Sequence, residues 1–255
     1  GAALLRGLYT AASGMIAEGV RTDTIANNLA NADTAGYKKD TTVTSEFRNI
    51  LLQRINDGAE QPSIGRMGLG TEVVANVASH AGGALKSTEN PLNVAIEGDG
   101  FFVVAAPQGV RYTRDGAFRL NDQNQLVTAD GYRVRGQNGA TIAAVDPAGS
   151  LTIDSAGRVF SGAQEVGRLE VASFANRGQL VKEGANLFRA PDNGGLQAEP
   201  FAGKVRQGAL EASNVNVVQE MVNLITSYRA YEIHSKAVQT QDALADKAVN
   251  EVAKA

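Results

Sequence analysis

The 255 residues contain no cysteine, no tryptophan and only two histidines, His80 and His234. Without thiols there can be no disulfide framework, no thiol nucleophile and no cysteine-ligated metal, which suits either the cytosol or an export route on which thiols are a liability. Neither an H-E-x-x-H nor a G-x-S-x-G pattern occurs, so zinc and serine hydrolysis lack their usual residues. No apolar run approaches the roughly 18 residues of a membrane span, and membrane insertion is not expected. A basic segment followed by an apolar one, the mark of a cleavable secretory signal, is also missing. If the chain leaves the cytoplasm, something else directs it. Charge of one sign is scarce too: the formal net charge is −3 and Lys38-Lys39 is the only lysine pair, so nucleic acid is excluded as a partner.

The carboxylates offer little chemistry. Asp99, Asp115, Asp122 and Asp130 each fall in a turn, where Asp bonds its own backbone, and a hydrolase built on Asp115 and Asp122 is the weaker reading. The stretch from Asp122 lacks the glycine and closing glutamate of a calcium loop. Gly65, Gly68 and Gly70 do not make a phosphate loop, because Thr71 to Ala78 alternates like a strand where a helix would be needed. No cofactor and no metal are expected.

Two long helical stretches are present, one at each end. From Ser213 to Ala255, Val217, Met221, Leu224, Tyr228, Tyr231, Ser235 and Val238 step by four and three, a stripe that predicts a long amphipathic helix wanting a partner. Asn216 and Gln219 form a capping-box start. A helix of about 38 residues runs roughly 57 Å, longer than a small domain is wide. At the other end, Leu5, Leu8, Ala12, Met15, Gly19, Thr22, Ala26 and Leu29 predict a helix over about 5–31, rich in small residues that admit a close neighbour, with Gly36 as its stop. Gly1-Ala2-Ala3 is set aside as a cloning remnant. Between Asn27 and Gly36 lie three asparagines within five residues, more than one helix cap needs.

Between the helices the pattern changes. Thr44 to Asn56 predicts a short amphipathic helix, with Phe47, Ile50, Leu51 and Ile55 on one side and Gly58 at its end, and 58–70 reads as a loop. From Leu92 to about Val205 short strands and turns follow one another. Leu92 to Glu97, Gly98-Asp99-Gly100 and Phe101 to Val104 predict a hairpin, and further strands fall at 110–113, 117–120, 125–128 and 169–174, with Asn193-Gly194-Gly195 as a loop. The stretch 120–128 echoes 153–161, both reading strand, polar turn, strand. The fold class expected is α+β: long terminal helices pairing as a coiled-coil-like layer, with a β-rich centre. The divisions are 1–36, helix and exit turn; 37–84, connecting segment; 85–208, β-rich region; and 209–255, terminal helix.

Four motifs carry a resemblance: Ala26-Asn27-Asn28-Leu29-Ala30-Asn31 with Gly36-Tyr37-Lys38; Gly98-Asp99-Gly100-Phe101-Phe102; Tyr112-Thr113-Arg114-Asp115-Gly116; and Ser213-Asn214-Val215-Asn216 with Arg229-Ala230-Tyr231-Glu232. Together they resemble the bacterial flagellar basal-body rod proteins, a family that includes proximal and distal rod proteins and the hook protein. The middle is too short for a hook protein, and 242–246 has fewer large apolar residues than the family places there. The resemblance implies a structural subunit of the basal body in the cell envelope. It also implies export unfolded through the flagellar type III apparatus and polymerisation into a hollow, torque-bearing shaft around the export channel. Its partners would be copies of itself, sibling rod or hook subunits, the export apparatus and surrounding ring proteins. The residues expected to carry assembly are Leu8, Ala12, Met15, Ile25, Asn27, Asn28, Leu29, Asn31, Asn214, Val217, Met221, Leu224, Tyr228, Tyr231 and Val238. The alternative is a binding module in which Leu92 to Val205 recognises an envelope or ring component.

Overall fold

The structure is a computed structural model that describes residues 2–46, 49–53, 63–68, 70–145, 151–191 and 196–252. It is α+β, with a helix at each end and strands between them. The chain divides into two units. One comprises Gly1–Leu29, Asp40–Val77 and Asn216–Ala255, the other Ala30–Lys39 and Ala78–Val215.

The first unit holds α1 (Ala2–Ala30) and α2 (Val217–Val252). At the start of α2, Asn216 Oδ1 accepts from the Gln219 backbone N–H at 3.1 Å, satisfying one donor the helix cannot use internally. The reciprocal half of the capping box is not made: the Gln219 amide donates to Asn223 Oδ1 one turn further on. The same unit contains a ribbon of Asp40–Glu46 with Thr71–Ala78, and an antiparallel pair of Asn49–Gln53 with Ser63–Gly68 in which Ile50 faces Met67.

These strands correct the short helix expected over 44–56 and part of the loop expected over 58–70. Three or four apolar residues in a short run fit either period, and β-branched Thr41, Thr42, Val43 and Thr44 lose rotamer freedom in a helix but pack well on a pleated surface. Pairing with a distant strand then decides. Phe47, Ile55 and Gly58 lie outside the described residues, as do 192–195.

The second unit is built on an eight-stranded antiparallel sheet. Its order is Val181–Glu183, Leu187–Arg189, Gly109–Thr113, Phe101–Ala106, Arg133–Val134, Leu126–Val127 and Arg119–Leu120, with Val171–Ala172 also on Phe101–Ala106. Strand Phe101–Ala106 explains its own sequence. Side chains alternate faces, so Phe102 and Val104 enter one cluster with Phe118, Leu126, Val134 and Ile142, while Phe101 and Val103 enter another with Phe174 and Phe188. A strand covered on both faces has no polar side, hence the unbroken Phe-Phe-Val-Val.

The hairpin expected over 92–104 is also corrected. Val94–Glu97 and Phe101–Ala106 both form, but the first pairs with Lys204–Gln207 and the second with Gly109–Thr113, so the glycine turn is a passage between sheets. The echo between 120–128 and 153–161 is a shared turn. Asn121 Oδ1 accepts from the N–H groups of Gln123 and Gln125, Asp154 Oδ1 from those of Ala156 and Arg158, and a left-handed residue sits at the same place in each, Asn124 and Gly157.

Candidate assembly interface

Within the first unit, α1 and α2 run side by side in opposite directions through a seam of small and polar residues. Thr22 Oγ1 lies 3.0 Å from Ser227 Oγ, whose hydroxyl donates to Glu18 Oε2 at 2.6 Å. Asn28 Nδ2 reaches Glu220 Oε2 at 3.5 Å. At the other end, a Cβ on Gly14 would stand 2.6 Å from the His234 ring, and one on Gly7 would stand 3.1 Å from the Gln241 amide. At Gly7 and Gly14 the α1 backbone lies against α2 side chains. Asn28, Glu220 and Ser227 are each 1 % exposed, although all three are polar.

The predicted stripe on α2 lies elsewhere. Val217, Met221, Tyr228 and Tyr231 are exposed, and Leu224 and Val238 are half-buried. Neighbouring Val218 at 73 % and Ile225 at 56 % are exposed too, together with Val222 and Ile233. On α1, Leu8, Ala12, Met15 and Leu29 are half-buried, Ile25 is buried and Asn27 is exposed, while Tyr9 and Ile16 point outward. The two helices therefore meet along a polar line and leave apolar surface uncovered.

The asparagines at the end of α1 have separate tasks. Asn28 accepts from the Asp40 N–H at 2.9 Å and donates to the Asp40 carbonyl at 2.8 Å, so its amide grips the following strand as another strand would. Asn31 stabilises the exit turn, where Thr34 donates to it from both its backbone and its hydroxyl. Both helix-flanking motifs reappear in the second unit. There Asn214 accepts from the Lys39 N–H at 2.8 Å and donates to the carbonyls of Ser79 and Ala81.

Beside Asn214 is an ionic node. Lys38 Nζ lies 2.6 Å from Glu211 Oε1 and 2.8 Å from the Ala81 carbonyl, Arg114 Nη1 lies 3.1 Å from Glu211 Oε2, and Gly83 N–H donates to Oε1. Burial pushes the Lys38 ammonium below the ordinary lysine range, and its contact with Glu211 opposes that shift. Gly36, with φ +66°, donates to the Glu211 carbonyl, and a Cβ there would run into the Arg114–Asp115 backbone. The motifs Gly36-Tyr37-Lys38 and Thr113-Arg114-Asp115-Gly116 are therefore two sides of one contact. Asp115 is engaged in its turn, accepting from Ala117 N–H and from the Asn186 amide.

Sequence reasoning missed Glu211, Glu220 and Ser227. The last two had a signal: Glu220, Ser227, His234 and Gln241 recur every seven residues, and so do Gly7, Gly14, Arg21 and Asn28. No cluster of three or more His, Cys, Asp or Glu able to hold a metal occurs among the described residues, and none of their helices is long and apolar enough to cross a membrane.

Asp115 and Glu211 are committed to a turn and to ion pairs, Glu220 to the helix seam, and the long terminal helix shows an apolar stripe to solvent. Comparison with known proteins gives the family. The models for the flagella basal body rod protein, the flagellar hook protein FlgE/F/G D1 domain and the flagellar basal body rod FlgEFG protein C-terminal region match residues 8–38, 95–161 and 206–251. The flagellar basal-body rod protein FlgG of Borreliella burgdorferi is 37% identical over 94% of this chain and 96% of its own length. The corresponding FlgG of Bacillus subtilis is 34% identical over 97% and 99%. The flagellar hook-basal body complex protein FlhO of the same organism is 30% identical over 98% and 100%. The chain belongs to the flagellar basal-body rod protein family, as a structural rod subunit and not an enzyme.

Proposed function

We propose that this chain polymerises through its terminal helices into the hollow shaft of the basal-body rod. The observation that carries this reading is the exposed stripe of Val218, Met221, Val222, Ile225 and Tyr228 on α2, on a helix that is hydrogen-bonded to its own α1 through Glu220 and Ser227. Burying such side chains is the main favourable term in association, each worth about 1.5–3 kcal/mol when fully covered. Copies of the chain and sibling rod or hook subunits supply the cover. The paired helices form a coiled-coil-like layer around the export channel, and the shaft carries torque. Leu8, Ala12, Met15, Leu29, Val217, Met221, Leu224, Tyr228, Tyr231 and Val238 supply the apolar contacts, Ile25 packs inside its own unit, and Asn27, Asn28, Asn31 and Asn214 shape the helix ends. Export through the type III apparatus precedes assembly, and ring proteins surround the finished shaft.

Electron microscopy of concentrated protein tests this. Tubes are expected from the parent chain and none from Val218→Asp/Ile225→Asp; parent protein that stays monomeric at all concentrations contradicts the proposal. A second reading, that the β-rich region binds an envelope or ring component, rests on a hollow of about 390 Å³ walled by Asn138, Arg168, Glu170 and Phe201. Arg168→Ala/Phe201→Ala should then abolish recruitment of ring proteins while tubes still form.

A further inference from the structure

The helix α2 has two usable sides, and its own α1 occupies the less apolar one. Burial alone would place α1 over Val218, Val222, Ile225 and Tyr228, all of which stay exposed. What holds α1 on the other side is directional. The Glu220 carboxylate, almost wholly out of water, takes hydrogen bonds from the amides of Asn28 and Asn223, at 3.5 and 3.3 Å. Asn28 is itself oriented by its two bonds to the Asp40 backbone, so the face it offers Glu220 is set by the strand and not by the helix. One seam repeat along, Ser227 is held by Glu18 and lies against Thr22.

We infer that Asn28, Glu220 and Ser227 form a pairing key, which selects this chain's own α1 for the polar side of α2 and keeps the apolar side open for the next copy. The inference rests on the assembly reading above. A buried polar pair contributes little net stability but discriminates between partners and registers, because a wrong alignment withdraws the Asn28 amide from the buried carboxylate. Slipping α1 by one turn would set Glu220 against Thr24, whose hydroxyl already donates to the Val20 carbonyl. Binding α1 of another copy by the same side requires that copy's Asn28 to arrive with its strand already docked. In a filament crowded with closely similar helices, such a key separates the bond within a subunit from the bonds between subunits.

The absence of cysteine allows a direct test. In the full-length chain, Gly14→Cys/His234→Cys places two thiols where the helices approach most closely, and a short bis-maleimide bridges them. At concentrations that permit assembly, the bridged product should be overwhelmingly intramolecular on a denaturing gel. Adding Glu220→Leu, which takes the charged acceptor from Asn28 and leaves the bonds of Asn28 to Asp40 in place, should lower the ratio of intramolecular to intermolecular product about tenfold or more, the factor expected for a lost buried hydrogen bond to a charge. Glu220→Gln, whose amide oxygen can still accept from Asn28, should keep most of the ratio, a contrast that a general loss of folding could not give. An unchanged ratio in the leucine variant, or a glutamine variant that falls as far, overturns the key. Failure of the assembly reading shows separately: if Val218→Asp/Ile225→Asp leaves sedimentable polymer intact, that reading falls while the bridging ratio still reports on the key.

Discussion

Glu211 shares its two carboxylate oxygens among Lys38, Arg114 and the Gly83 N–H, with Lys38 1 % and Glu211 2 % exposed. Taking away the anion leaves two cations in the interior, so Glu211→Ala should destabilise the 78–215 unit by about 3–5 kcal/mol, measured as a lowered urea midpoint. Lys38→Met removes one cation and leaves Arg114 to neutralise Glu211, and it should cost clearly less. His80 poses the opposite problem. Its ring stands 5.6 Å from Phe101 and 5.2 Å from Phe188, its buried Nδ1 has no hydrogen-bond partner among the described residues, and the charged neighbours that act on it, Arg177, Lys38 and Arg114, are all cations. Burial, reinforced by those cations, lowers its pKa from 6.5 to about 4. The fold therefore favours the neutral ring: its stabilisation is complete above pH 6.5 and is lost as pH falls toward about 4, because the unfolded chain takes up the proton first. In a series of melting temperatures against pH, His80→Phe should flatten that acid limb. Asp115 acts in the other sense, since burial raises its pKa, but it is common to both proteins and cancels in the comparison.

At the scale of elements, what was legible depended on how local the deciding contact is. The helix over 213–255 was readable because its period is repeated many times and Asn216 caps it in sequence. Asn216→Ala should cost about 1 kcal/mol of helix stability, seen as a lower helical signal and earlier melting in circular dichroism. Phe101 to Val104 was readable as a strand because its apolar run ends in turn residues, and Phe102, packed 5.0 Å from Phe118, should lose about 3–5 kcal/mol on truncation to alanine. Pairing was another matter: the partner of Val94–Glu97 is Lys204–Gln207, more than a hundred residues on, and no local glycine turn reveals that. The segment 44–56 failed for the related reason that a short run suits two periods until its partner is known. In the candidate site the sevenfold recurrence of Glu220, Ser227 and Gln241 lay in the sequence, but polar side chains at that spacing carry no sign of burial. Glu220, Ser227 and Gln241 look like a solvent face, and only the close approach of Gly7 and Gly14 turns them inward.

For the whole molecule, the two units differ in how much of their own stability they carry. The second unit, Ala30–Lys39 with Ala78–Val215, encloses two apolar clusters and an ionic node. The helices α1 and α2, of 29 and 36 residues, meet along a polar seam and leave Tyr9, Ile16, Val218, Ile225 and Ile233 uncovered. Most helix stability in proteins comes from packing an apolar face, and Gly7, Gly14 and Gly19 inside α1 each cost about 1 kcal/mol relative to alanine, so in a lone chain these helices should be only partly formed. On the assembly proposed above, the neighbours' apolar faces would remove that weakness. Circular dichroism across a dilution series should therefore show helical signal rising with concentration in step with sedimentable polymer, while the near-ultraviolet signal of the β-rich unit stays constant. Val218→Asp/Ile225→Asp should hold the helical signal at its dilute value at every concentration. Full helicity in protein shown to be monomeric by sedimentation would mean that the seam alone sustains both helices, and the argument that neighbouring copies complete them would have no physical basis.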